Sequence, residues 1–162
     1  MRHRPILLVE DNPDDEALTL RALRQHNIVN SVSVVRDGAE ALDHLLGGGS
    51  AGATAYPALI LLDLKLPKVD GFEVLRRIRA DARTRLIPVV ILTSSAREED
   101  VLAGYQDGAN AYVRKPVNFS ELARAVRTIG IFWLLVNEPP PGCLSPSPDD
   151  AAAQEAADNA PG

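Results

Sequence analysis

The sequence predicts an α/β protein in which five parallel strands form a sheet covered by helices on both faces. Two observations carry this expectation. Short apolar runs of strand length recur along the chain, and they are continuous rather than alternating, as in strands buried on both sides. Each run is followed by a segment with helical spacing and recognisable start and stop residues, which gives a regular β–α alternation.

The elements follow in order. "RPILLVE" is a buried strand. "DNPDDEALTLRALRQHN" is a helix, with Asn12 as cap, Pro13 at its first position, and Asp14, Asp15 and Glu16 favouring its positive end. The three acids are expected to serve the helix start rather than a site. "SVSVVRDG" alternates as a strand, and "AEALDHLLGGG" is a helix with a glycine stop. "SAGATAYP" reads as a flexible connection, and "ALILLDLKLP" is the most apolar strand. "GFEVLRRIRAD" places Phe72, Leu75 and Ile78 at helical spacing. "IPVVILTSS" and "NAYVRKP" are the last two strands, separated by the helix "REEDVLAGYQDGA". The final helix is expected to run through "NFSELARAVRTIGIFWLLVNE", capped by Asn118 or Ser120. Residues 1–138 form the folded unit. Residues 139–162 hold half of the 12 prolines and almost no large apolar side chains, so an acidic, disordered tail is expected there.

Composition narrows the functions. Of 162 residues, 46% are hydrophobic and 24% charged, the balance of a globular chain. No apolar run reaches the roughly 18 residues of a membrane span, and the Ile6–Val9 run is too short for a signal-peptide core, so a cytoplasmic location is expected. One cysteine, Cys143, excludes an internal disulfide. The tail carries four acids and no base, which leaves 18 acids against all 17 Lys and Arg in the body. A nearly neutral body gives no basic surface for direct nucleic-acid binding.

Chemistry gathers where the strands finish. The first ends in Glu10-Asp11, the third in Asp63, the fourth in Thr93-Ser94 and the fifth in Lys115-Pro116. In a parallel sheet these ends share one edge, where ligands bind. A lone Asp after a strand is commonly a turn residue; the right group at four strand ends in one chain is what marks a site. Neighbouring carboxylates stay ionised together only beside a cation, and oxygen ligands without His or Cys suit Mg²⁺. Asp11 and Asp63 are expected as direct ligands, Glu10 through water, and the Lys65 backbone carbonyl as a further ligand. A metal-bound aspartate with a free oxygen is a nucleophile towards phosphorus. Charge developing on the equatorial phosphoryl oxygens would meet the cation, the Lys115 ammonium, and the Thr93 hydroxyl with a nearby backbone N–H. Asp63 is thus the expected phosphoacceptor.

The stretches "ILLVEDNPDD", "LILLDLKLPKVDGFEVLRRIR", "PVVILTSS" and "AYVRKPVN" resemble, in order and spacing, the motif set of the response-regulator receiver domain of two-component signalling, over about residues 4–137. Among its members, the chain is similar to the single-domain regulators that partner phytochrome-type histidine kinases, whose last helix also carries a Phe-Trp pair. The resemblance implies a flavodoxin-like fold with strand order 2-1-3-4-5 and phosphorylation of Asp63 by a kinase histidine, with Glu10 and Asp11 in the metal site. It implies that Lys115 contacts the phosphate and that Thr93 and Tyr112 form a switch pair. It also implies a Lys115–Pro116 peptide that is often cis. Two positions vary: Glu10 stands at the first acidic position, and Lys65 lies two residues after the acceptor. His3, His26 and His44 lie in no phosphodonor context.

Two other readings compete. A haloacid-dehalogenase-type phosphohydrolase also uses Asp, Mg²⁺, Thr/Ser and Lys, but it needs a second Asp two residues after the nucleophile as general acid; that position is Lys65. A receiver-like scaffold without phosphoryl transfer would not require the full site. The protein is therefore expected to be a signalling protein and not an enzyme beyond its own phosphorylation and dephosphorylation. Neither "GGGSAG" nor "EDNPDDE" has the context of a phosphate loop or a calcium loop.

One stretch exceeds what its own core needs. Ile131, Phe132, Trp133, Leu134, Leu135 and Val136 form six apolar residues in a row, of which the sheet side needs two or three. The remainder is expected outward, as a homodimer interface or a kinase-docking surface.

Overall fold

The computed structural model describes residues 4–25, 30–47, 56–95, 97–116 and 118–138. The glycine-rich connection, His3, His26, Cys143 and the proline-rich tail lie outside the described residues. Among the described residues the elements follow in chain order: β1 (Ile6–Val9), α1 (Pro13–Gln25), β2 (Val32–Val35), α2 (Gly38–Leu46), β3 (Leu59–Leu62), α3 (Gly71–Ala80), β4 (Val89–Thr93), α4 (Glu98–Gln106), β5 (Ala111–Arg114), α5 (Phe119–Ile131) and a π-helical turn (Phe132–Val136). All pairs are parallel and the sheet order is β2-β1-β3-β4-β5.

Side chains alternate across the pleat, so the apolar strands feed two cores. Leu7, Val9, Ile60, Leu62, Val89 and Ile91 face α2 and α3 residues such as Leu42, Val74, Leu75 and Ile78. Ile6, Leu8, Leu59, Leu61, Val90 and Leu92 face α1 and α5 residues such as Ala22, Leu23, Leu122 and Val126. This is why the central strands β1, β3 and β4 show no polar face.

Side-chain caps fix the starts of α1, α2, α3 and α5, whereas Arg97 before α4 makes no such bond. Asn12 Oδ1 accepts from the N–H of Asp14 and Asp15, Asp37 from Glu40, Asp70 from Glu73, and Asn118 from Ser120. The register then aligns the strand ends. Asp63 N–H donates to the Val9 carbonyl at 3.1 Å, and Lys115 N–H to the Thr93 carbonyl at 2.7 Å. The β3–α3 connection is closed by Gly71, whose N–H donates to the Leu64 carbonyl at 2.9 Å. A Cβ at Gly71 would collide with the Asp63 carbonyl oxygen and lie 2.6 Å from Leu64 Cα. In the same connection Lys68 is the one non-glycine described residue with positive φ, at 68°.

Two expectations are corrected. The last α-helix does not continue to residue 138: it gives way after Ile131 to a π turn, closed by Asn137 N–H donating to the Phe132 carbonyl at 2.6 Å. Six consecutive apolar residues offer no helical period to follow, and the wider turn lets Trp133 and Leu134 pack on the α1/α5 core while Phe132 and Val136 stay exposed. The Lys115–Pro116 peptide is trans, with no cis bond among the described residues. The two isomers of an X-Pro bond differ by only about 0.5–1 kcal/mol, so sequence does not choose between them.

Gly71→Ala is expected to destabilise the fold by about 1–3 kcal/mol in urea unfolding, because backbone must move to admit the methyl. Leu102→Ala on exposed α4 should stay within about 0.5 kcal/mol. Equal effects would overturn this account of the α3 start.

Candidate functional site

The parallel register places Glu10, Asp63, Thr93 and Lys115 each at or just past the carboxyl end of a strand. Glu10, Asp63, Thr93 and Lys115 are buried and Asp11 is exposed, so the site is a notch open to solvent on one side. Glu10, Asp11 and Asp63 each offer a carboxylate oxygen within 4.8 Å of the others. Lys115 Nζ donates to Glu10 Oε2 at 2.6 Å, Asp63 Oδ2 at 2.9 Å and Asp15 Oδ2 at 3.0 Å. Glu10 Oε1 accepts from the Asn12 N–H at 3.2 Å, and Asp63 Oδ1 from the Lys65 N–H at 3.3 Å.

These contacts set the charges. Burial pushes the Glu10 carboxyl up to about 7, against the Lys115 hydrogen bond that favours its anion. Burial disfavours the Lys115 ammonium, but its bonds to Glu10 and Asp63 outweigh that cost and hold its pKa above the usual lysine value. Lys115 is therefore a fixed positive charge. The three carboxylates supply oxygen donors only, with no His or Cys beside them, which suits a hard divalent cation.

The hydroxyl side of the site is wired to α4. The Thr93 side chain is fully buried, and its Oγ1 accepts from the Ser95 N–H at 3.5 Å. Tyr112 OH donates to the Ser95 carbonyl at 2.9 Å, and Ser95 Oγ donates to Asp100 Oδ2 at 2.6 Å. Gly104 makes room for the tyrosine: a Cβ there would stand 3.2 Å from Tyr112 Cδ2 and 2.8 Å from Ile91 Cδ1. Burial raises the Tyr112 pKa, so the phenol is a neutral donor. Ser94 is exposed, and Lys65 projects into solvent while its N–H meets Asp63.

Sequence reading missed two features. Asp15, expected to serve only the helix start, also takes one of the three Lys115 protons. The sequence reading gave Lys115 only a phosphoryl oxygen as partner, although an ammonium has three protons to place. Ser95 and Asp100, which anchor Tyr112 and the β4–α4 connection, had no sequence signal. At the far end of the chain, Ile131, Phe132 and Val136 are exposed, while Trp133 and Leu134 are half-buried against the core. The Phe132 and Trp133 rings meet edge to face, with centroids 5.1 Å apart. No described helix is long and apolar enough to cross a membrane.

A family model described as the response regulator receiver domain matches residues 6–127. Two curated relatives are similar over most of their length. The probable methanogenesis regulatory protein FilR2 of Methanothrix harundinacea is 43% identical over 83% of this chain and 86% of its own. The response regulator Rcp1 of Synechocystis is 42% identical over 80% and 88%. Among solved structures, the phosphorylated cyanobacterial phytochrome response regulator RcpA superposes with a TM-score of 0.81 at 42% identity, over 86% of this chain and 99% of that one. The Mn²⁺-bound form of Rcp1 gives 0.79 at 40%, over 85% and 99%. The bacteriophytochrome response regulator AtBRR gives 0.68 at 51%, over 85% and 100%.

A cation that joins the three carboxylates should stabilise the fold. Mn²⁺ or Mg²⁺ at about 100 times its Kd is expected to add about 2.7 kcal/mol, read as a rise in thermal midpoint. Asp11→Asn should lose most of the rise; an undiminished rise would place the cation elsewhere.

Proposed function

We propose that this chain, which belongs to the response regulator receiver domain family, accepts a phosphoryl group on Asp63 from the phosphohistidine of a sensor kinase. It is a phosphoacceptor signalling protein of two-component systems. What supports Asp63 as the acceptor is one observation: its carboxylate accepts from the Lys115 ammonium at 2.9 Å and offers an oxygen within 4.8 Å of those of Glu10 and Asp11. In the transfer, an Asp63 carboxylate oxygen forms a bond to phosphorus as the P–N bond breaks. The bonding pair leaves with the imidazole nitrogen of the donor, which takes up a proton. Lys115, held charged by its anionic neighbours, can turn from a carboxylate to an incoming phosphoryl oxygen without gaining or losing a proton. The Thr93 hydroxyl and the backbone N–H groups near Asp63 donate to the others. Divalent metal binding is a property of the family, and Mg²⁺ held by Glu10, Asp11, Asp63 and the Lys65 carbonyl would supply positive charge for the same oxygens.

Thr93 is the first relay of the signal. Its hydroxyl, drawn towards a new dianion, would release the Ser95 N–H, and Ser95 is also the anchor of Tyr112. Phosphorylation thereby repacks the β4–α4 connection and the face that carries Tyr112. The hydrolase reading is disfavoured because Lys65 occupies the general-acid position. The gathering of Glu10, Asp11, Asp63 and Lys115 at one sheet edge supports an acceptor over the scaffold. We assign the receiver to residues 1–138, followed by a tail at 139–162.

The partner is a histidine kinase. The identities to RcpA, Rcp1 and AtBRR support a phytochrome-type kinase. We further propose that exposed Ile131, Phe132 and Val136 form a homodimer surface, with Trp133, Leu134 and Leu135 in the same segment.

Acetyl phosphate with Mg²⁺ should label the wild type and leave Asp63→Asn unlabelled; equal labelling would remove Asp63 as acceptor. For the dimer, Phe132→Glu is the cleaner probe because Trp133 also packs on the core. It should lower the dimer fraction in light scattering with the circular dichroism spectrum unchanged. An unchanged mass across a concentration series would overturn the surface.

A further inference from the structure

We propose that Asp15 is a positioning residue for the Lys115 ammonium, and that by holding it on the outer side of the notch it raises the affinity of the carboxylate triad for a divalent cation. The inference rests on the reading of Glu10, Asp11 and Asp63 as the cation site.

Lys115 Nζ has three protons and three carboxylate partners, so its hydrogen-bonding capacity is filled. The partners differ in kind. Glu10 and Asp63 belong to the triad whose oxygens lie within 4.8 Å of one another, and Asp15 stands outside it. Glu10 and Asp63 side chains are 2% and 9% exposed, whereas that of Asp15 is 33% exposed. Lys115 thus bridges from the buried acids to one at the rim. The Asp15 backbone is fixed by the α1 cap, its N–H donating to Asn12 Oδ1 at 3.1 Å.

A cation shared by Glu10 and Asp63 competes with the ammonium for the same oxygens, and the two like charges repel. The ammonium must then give up inner contacts while staying in reach of Asp63. Asp15 is the partner that such a cation does not claim. It offers the ammonium a counter-charge away from the triad, so admitting the cation costs less. Without that charge, Lys115 would bear more heavily on Glu10 and Asp63 and compete harder. The role parallels outer residues that orient a metal ligand, whose loss weakens metal binding by about tenfold or more.

The test uses unphosphorylated full-length protein and Mn²⁺ alone, with free Mn²⁺ read by electron paramagnetic resonance. Asp15→Asn, which keeps an oxygen acceptor but loses the charge, should weaken Mn²⁺ binding about tenfold, and Asp15→Glu should recover most of it. In a Lys115→Met background, the Asp15→Asn change should have little further effect, because the lysine through which it acts is gone. The same tenfold loss with and without Lys115, or no loss in the wild-type background, would overturn the proposal. A second readout stands if Lys115→Met does not fold: water exchange of the Lys115 ammonium protons by nuclear magnetic resonance. Asp15→Asn should speed it, and an unchanged rate would overturn the tether. Failure of the underlying cation site shows differently, as Mn²⁺ binding unaffected by Asp11→Asn.

Discussion

One buried ammonium makes the functional end of this protein compatible with a folded state. Lys115 Nζ sits within 3.0 Å of three carboxylates from β1, α1 and β3. Buried like charges cannot remain ionised together without a compensating cation. The lysine binds four parts of the chain into one electrostatic unit. The strand order that places β1 between β2 and β3, and β4 beside β5, brings those parts to the same edge. Much else serves this arrangement: Asn12 holds the start of α1, Gly71 lets α3 close on the Asp63 loop, and the Lys115 N–H bonds the Thr93 carbonyl.

The same arrangement is poised for exchange. A charged lysine at an anionic pocket can trade one oxygen for another without a change in protonation, and a divalent cation or a phosphoryl group brings the charge that makes the trade favourable. A short chain of contacts runs from buried Thr93 through Ser95 to Tyr112 and Asp100, and under the proposed function it would relay the response. Each contact is a single hydrogen bond, the kind of link worth about 0.5–1.5 kcal/mol. A dianion placed beside Thr93 is large on that scale. The receiver assignment and the contact geometry are thus consistent with the proposed switch, in which the notch is linked through Ser95 to Tyr112.

Much of this was legible in the residues. Continuous apolar strands announced a sheet buried on both faces, and the acids, hydroxyl and lysine at four strand ends announced the site. Asn12, Pro13 and Asn118 marked helix starts where they occur. The apolar run Ile131–Val136 was visible as an excess, but its division was not. Six apolar residues in succession carry no period, so only packing could send Trp133 and Leu134 to the core and leave Phe132 and Val136 outside.

The sequence by itself determined the alternation of elements, the two-sided burial of the strands and the chemical identity of the groups at their ends. These are local properties, written in periodicity and in residue type. The tertiary structure decided which groups share a charge. That Asp15 serves nothing more than its own helix, or instead holds Lys115 one hundred residues away, depends on the start of α1 standing beside the residue that follows β5. The anchoring of Tyr112 on the Ser95 carbonyl likewise depends on how the residues after β4 pass beside β5, a contact made by backbone that any residue could present. Long-range hydrogen bonds of this kind have no sequence period, because they follow from the packing of elements rather than from the pattern within one.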